Sequence, residues 1–174
     1  MTTQKTKYIK AITKIAISVA LMCVFAQISF PIGLVPITLQ TFIVAFIGYF
    51  LGLKKSLAAI IVYLALGAVG VPVFSMLQGG FGVLISYTGG FLWGFIPYTV
   101  LCAVCNEKKL GIALGIIGVL LCHLIGVIQY SIVSGNNLWL SFVSASLPFI
   151  IKDIIFTALA YFLATRMRKI KALE

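Results

Sequence analysis

The sequence predicts an all-α integral membrane protein, a single transmembrane domain over residues 1–174 made of six transmembrane helices with both termini cytoplasmic. Three observations predict it. Mean hydropathy is +1.19, with 62% hydrophobic and 9% charged residues, which lies far outside the range of soluble domains. No charged residue occurs over 15–53, 56–106 or 110–151, and each block is about twice the roughly 20 residues that cross a hydrocarbon core of about 30 Å. Each block also begins and ends at basic residues: Lys5, Lys7, Lys10 and Lys14; Lys54 and Lys55; Lys108 and Lys109; Arg166, Arg168, Lys169 and Lys171. Three hairpins therefore cross out and return, and the positive-inside rule puts all four clusters in the cytoplasm. The net charge of +10 reads as a topology signal and not as a nucleic-acid footprint.

Helix 1 is expected over 11–30. Its basic start and Val24-Phe25-Ala26 look like a cleavable signal, but the apolar run continues to Phe30 and the layout needs a span there, so the segment is expected to stay. The first external loop, around 31–36, is apolar, stiffened by Pro31 and Pro36 and opened by Gly33. Such a loop suits either a lid over an outward pocket, with Thr38, Gln40 and Thr41 offering hydrogen bonds beneath it, or a short surface connector.

Helices 2 and 3 are expected over 37–53 and 57–71, and helix 4 over 83–105. The stretch 78–95 that leads into helix 4 holds six glycines, among them Gly89 and Gly90, beside Gln78, Ser86, Tyr87, Thr88 and the aromatics Phe91 and Trp93. Glycines in a span admit close approach by a helix or a ligand. The polar and aromatic neighbours suit a small-molecule pocket, or equally tight packing with an interfacial aromatic belt.

Helices 5 and 6 are expected over 110–130 and 142–165. His123, in helix 5, is the only histidine; with no ligand set around it, a core or pocket-lining place is expected rather than a metal. Cys102 and Cys105 form a lone Cys-x-x-Cys, which without a second pair or a βαβ context reads as packing. Helix 6 contains Lys152 and Asp153, the only charges deep within a predicted span. Charge at bilayer depth is costly and by default faces a cavity, a partner or a substrate path. Counting back from Arg166 at about 1.5 Å per residue sets Asp153 roughly 20 Å from the cytoplasmic end.

No catalytic residue is expected. There is no G-x-x-x-x-G-K-[ST] phosphate loop, so the chain does not hydrolyse ATP by itself, and the one embedded acid cannot serve a Ser-His-acid set. Ala16-x-x-x-Ala20 and Gly111-x-x-x-Gly115 are small-residue spacings that let helices meet, within the bundle or against another subunit.

Four blocks in order, Pro31-Ile32-Gly33-Leu34-Val35-Pro36-Ile37-Thr38-Leu39-Gln40-Thr41-Phe42, Gly67-x-x-Gly70-Val71-Pro72-Val73-Phe74, Thr88-Gly89-Gly90-Phe91-Leu92-x-Gly94-Phe95, and Leu147-Pro148-Phe149 before Asp153, resemble the BioY family, the biotin-binding S components of energy-coupling factor (ECF) transporters. The resemblance spans nearly the whole chain. It implies a six-helix subunit of the bacterial cytoplasmic membrane that captures biotin from outside. The loop holding Pro31, Gly33 and Pro36 would be its gate. It also implies, as separate chains, a transmembrane coupling protein and two ATPase subunits, with Ala16 and Ala20 facing the coupling protein. No cofactor or metal is implied; biotin is the transported ligand.

The family's helix 6 acid is followed three residues later by lysine, whereas here Phe156 stands there and Lys152 precedes the acid. Lys152 and Phe156 lie on one helix face a turn apart. Asp153 is then expected to accept from the ureido N–H groups of biotin, and Lys152 to balance it or meet the ligand's carboxylate or carbonyl. Gln78, Tyr87, Thr88, Gln40 and Thr41 are candidate neutral anchors, and Trp93, Phe91 and Phe149 candidate walls, beside the Gly89-Gly90 gap. Two rivals remain at this point: a proton-coupled secondary transporter that uses Asp153, and a structural subunit in which Lys152 and Asp153 form an interhelical pair.

Overall fold

A computed structural model describes residues 2–31, 34–104 and 110–171, the side chains of residues 2, 3 and 171 excepted. Gly33 of the expected gate, Cys105 of the Cys-x-x-Cys pair and the Lys108–Lys109 cluster lie outside the described residues.

The chain runs through α1 (Thr2–Gln27), a hairpin of β1 (Ser29–Phe30) and β2 (Ile37–Thr38), α2 (Gln40–Leu51), α3 (Leu53–Ala68), a 3-10 turn (Ser75–Leu77), α4 (Phe81–Leu84), α5 (Gly89–Val104), α6 (Leu110–Ser134), α7 (Leu138–Ala145) and α8 (Leu147–Lys171). The all-helical expectation holds apart from that two-stranded hairpin. Three stretches, Gln4–Gln27, Leu110–Ser134 and Leu147–Ile170, are long and apolar enough to cross a membrane, and α2 and α5 are shorter apolar helices.

The differences from the expected spans have local causes. Helix α1 begins at residue 2, because its lysine-rich turns continue the helix, and stops at Gln27 where Ser29 and Phe30 pair with Thr38 and Ile37. Between α2 and α3 the backbone of Gly52 sits at φ 73°, a left-handed value that glycine adopts without steric cost.

The expected fourth helix is broken rather than continuous from residue 83. Helix α4 ends at Leu84, a turn follows, and α5 starts at Gly89. Its freed carbonyls are not left bare: Gln129 Nε2 donates to Leu84 O and Ser86 O, each at 2.9 Å, and Trp93 Nε1 donates to Leu84 O at 3.0 Å. Broken backbone at membrane depth is tolerated where side chains satisfy it in this way. The expected sixth helix also splits, at Ser146. The Asn137 side chain caps α7 by accepting from Leu140 N at 2.8 Å. Pro148 sits in the first turn of α8, where its missing N–H costs nothing.

Helix α2 is central, packed against α1, α3, α5 and α8, while α5 lies along α6. The α5–α6 seam is close because Gly94 faces the backbone of Cys122: a Cβ there would stand 2.8 Å from Cys122 Cα. Within the bundle, Gly111 and Gly115 are buried, and the Tyr49 hydroxyl donates to Gly111 O at 2.9 Å. That small-residue spacing therefore serves internal packing. Ala16 and Ala20 are exposed on α1, so theirs is left open to a partner.

Candidate ligand site

Asp153, in the second turn of α8, is 3% exposed. Its Oδ1 accepts from Thr41 Oγ1 of α2 and from Lys152 Nζ, each at 2.5 Å. Its Oδ2 lies 3.2 Å from His123 Nε2 of α6. An ionised carboxylate only accepts, so Nε2 carries the proton in this contact. His123 Nδ1 is then free to accept from Ser146 Oγ, 2.8 Å away. The α7–α8 break puts Ser146 there: the interruption that ends one helix orients the histidine of another. Three helices and a helix junction thus converge on a single acid.

Lys152 Nζ donates to Thr38 O at 2.9 Å and stands 5.1 Å from the Phe156 ring centroid. The same-face relation of residues 152 and 156 is therefore realised as an ammonium against an aromatic face, a favourable contact in a desolvated place. Through Thr38 the lysine also ties α8 to the strand that follows the first loop.

These groups sit in a cavity of about 630 Å³, open mouth included. Phe91 and Phe95 of α5, Phe149 of α8 and Phe74 wall it, and Val35 and Pro36 of the first loop border it. An apolar wall with a few convergent polar groups is the character of a binding site for an organic molecule. Among the described residues no cluster of His, Cys, Asp and Glu could hold a metal.

The loop 69–80 is held over this region by Gln27. Its Nε2 donates to Phe74 O at 3.0 Å and its Oε1 accepts from Leu77 N at 2.9 Å. Gln40 Nε2 donates to the Tyr63 hydroxyl at 2.7 Å, and that hydroxyl donates to Val73 O at 2.9 Å.

Residues 1–172 match the model of the BioY family. The chain belongs to the BioY family. The probable biotin transporter BioY of Pyrococcus horikoshii is 37% identical over 159 residues, 91% of this chain and 96% of that one. The biotin transporter BioY of Thermotoga maritima is 34% identical over 166 residues, covering 93% and 98%. A crystal structure of the S-component for biotin from an ECF-type ABC transporter superposes with a TM-score of 0.86 at 25% identity, over 94% of this chain and 93% of that one. With apolar helices long enough to cross a bilayer, this BioY-family chain is an integral membrane protein.

Of the residues singled out in the sequence, the cavity brings together Asp153, Lys152, Gln40, Thr41, Thr88 and Phe149, with Phe91 and Pro36. Six others fall outside its lining. Gln78 is exposed, and its carbonyl accepts from Phe74 N at 3.0 Å; its neighbours Phe74 and Ser75 line the cavity instead. Tyr87 packs on Tyr130 with ring centroids 5.7 Å apart. Gly89 and Gly90 face protein rather than ligand space: a Cβ on Gly90 would stand 2.7 Å from Ile125 O. Trp93 is 39% exposed, and its indole fastens the α4–α5 break. Pro31 is exposed and outside the lining.

The sequence reading missed Ser146, Phe74, Ser75, Phe95 and Val35. Ser146 carried a signal, since a serine shortly before a proline in a first helical turn marks a helix start.

Proposed function

We propose that this protein is the substrate-binding membrane subunit for biotin uptake, taking biotin from the outside and passing it to an ATP-driven ECF module. Family membership supports the role, and one observation of this chain carries the site: Asp153, held by Thr41, Lys152 and His123 at the base of an apolar cavity. A carboxylate offers about four lone-pair directions, of which three are filled. Asp153 therefore accepts one ureido N–H of biotin rather than both. Lys152 has three N–H donors, two of them committed to Thr38 and Asp153. Its third meets the ligand's carboxylate or carbonyl, in place of the family lysine at the position of Phe156. Phe91, Phe95 and Phe149 enclose the thiophane ring and chain, and Thr88 is a neutral anchor.

On this reading six helices cross a bacterial cytoplasmic membrane, set among its lipids, with both termini inside. The loop from Pro31 through Pro36 covers the outward mouth. Ala16 and Ala20 meet the coupling protein, and two ATPase subunits complete the module. No cofactor takes part. The test is equilibrium binding of biotin to purified protein. Asp153→Asn and Lys152→Ala should each weaken binding by about 10- to 100-fold, the range of a hydrogen bond to a charged group; wild-type affinity in both overturns the assignment. The His123–Asp153 contact favours one second reading, in which the pair carries a proton with the solute. Uptake that collapses with a protonophore while ATP stays high would select it.

A further inference from the structure

Gln40, the first residue of α2, is 5% exposed and lines the cavity, yet the protein uses only one end of its amide. Its Nε2 donates to the Tyr63 hydroxyl at 2.7 Å, and that hydroxyl lies 2.9 Å from Val73 O. Tyr63 is fully buried in α3. A carbonyl only accepts and a phenol has one proton, so the proton points to Val73 O and the hydroxyl offers Gln40 a lone pair. Such partners are what tell the two ends of a glutamine amide apart. Here the nitrogen is turned to Tyr63 and the oxygen is left over.

Among the described residues no donor meets Gln40 Oε1. The side-chain atoms that are both sealed in protein and unpartnered, again among the described residues, are Thr99 Oγ1 and Ser141 Oγ. Oε1 is not one of them and is reached from the cavity that Gln40 lines. The next residue, Thr41, donates to Asp153 Oδ1, so successive residues of α2 serve a neutral acceptor and a charged one in the same cavity. A molecule that fills the cavity strips water from Oε1, and a buried carbonyl left without a donor penalises any ligand that has none to give.

We propose, on the biotin reading of this cavity, that Gln40 Oε1 accepts the second ureido N–H, the one for which Asp153 has no free lone pair. Tyr63 is the positioning residue that makes Gln40 an acceptor rather than a donor. It stands outside the cavity lining and acts through Gln40. The site thereby selects a cyclic urea, with an N–H on each side of its carbonyl, over a cyclic carbamate or lactam that has only one.

The test is equilibrium binding of biotin to the purified full-length protein in detergent, with Gln40→Met, Tyr63→Phe and the double variant. Gln40→Met should weaken binding about 3- to 10-fold, the worth of a neutral hydrogen bond, and Tyr63→Phe about threefold or more. In the Gln40→Met background, Tyr63→Phe should cost less than about twofold further, because the two act as one unit. A tyrosine that merely holds Val73 would cost the same in both backgrounds, and that result would overturn the proposal. Wild-type affinity in Gln40→Met or in Tyr63→Phe would do so too. Should Tyr63→Phe not fold, the two ureido N-methyl derivatives of biotin decide the matter with wild type and Gln40→Met. The penalty of one derivative relative to biotin should shrink at least about threefold in Gln40→Met while that of the other, facing Asp153, stays; two unchanged penalties would overturn the proposal. Folded wild type that binds no biotin would remove the proposed function and this inference together. Binding that falls in Asp153→Asn and not in Gln40→Met would remove the inference alone.

Discussion

Asp153 is held from three directions, and each contact has a separable consequence. Thr41→Val keeps the shape and removes the hydroxyl that donates to Oδ1, leaving a buried carboxylate short of one partner. The expected result is a loss of about 1.5–3 kcal/mol of stability, measured by chemical denaturation in detergent, with weaker biotin binding. Ser146→Ala acts one step removed: it strips the partner from His123 Nδ1 and lets the ring turn from Asp153. Elsewhere in the chain, Met76 and Leu77 sit at φ 58° and 56°, a left-handed conformation costing a side-chain-bearing residue about 1–2 kcal/mol. Met76 is 52% exposed, so glycine there relieves strain without opening a cavity. Met76→Gly should raise the unfolding temperature; a fall would show that the conformation is unstrained.

Among the elements, the broken fourth and sixth helices make the site. The α4–α5 interruption leaves Thr88 and Phe91 at the head of α5, and the α7–α8 interruption supplies Ser146. The all-helical, membrane-integral character was legible from the long charge-free blocks, because hydrocarbon thickness sets how many apolar residues a crossing takes, and three helices reach that length. The breaks were not legible. Segments 83–105 and 142–165 read as continuous apolar helix, and what permits the first break is Gln129, distant in sequence, satisfying Leu84 and Ser86 carbonyls. Asp153 and Lys152 stood out because charge inside a span is anomalous at any reading. Phe74 and Phe95 did not, because an apolar stripe looks the same whether it faces a neighbour or a cavity. The glycines show the same ambiguity resolved toward packing. Gly90→Ala should cost about 1–3 kcal/mol by overpacking against α6, with biotin affinity in the folded fraction little changed; a selective loss of affinity would place Gly90 in the ligand site instead.

For the whole molecule, the proposed function assigns binding to an inward-gathered polar site and coupling to an exposed small-residue stripe on α1. Ala16→Leu/Ala20→Leu changes only exposed positions. Biotin binding to the isolated subunit should be unaltered while uptake in cells that co-express the ATPase subunits falls severalfold or more; unchanged uptake would remove that face from the coupling interface. Ligand binding should also stabilise the whole fold by mass action, by about 2.7 kcal/mol at one hundred times the dissociation constant.

The measurement closest to the central claim is a biotin-binding isotherm for the purified wild type beside Asp153→Asn and Lys152→Ala. Saturable binding in the wild type, weakened about 10- to 100-fold in each variant, is the expected result. No biotin binding by folded wild-type protein, or the same affinity in all three, would contradict it.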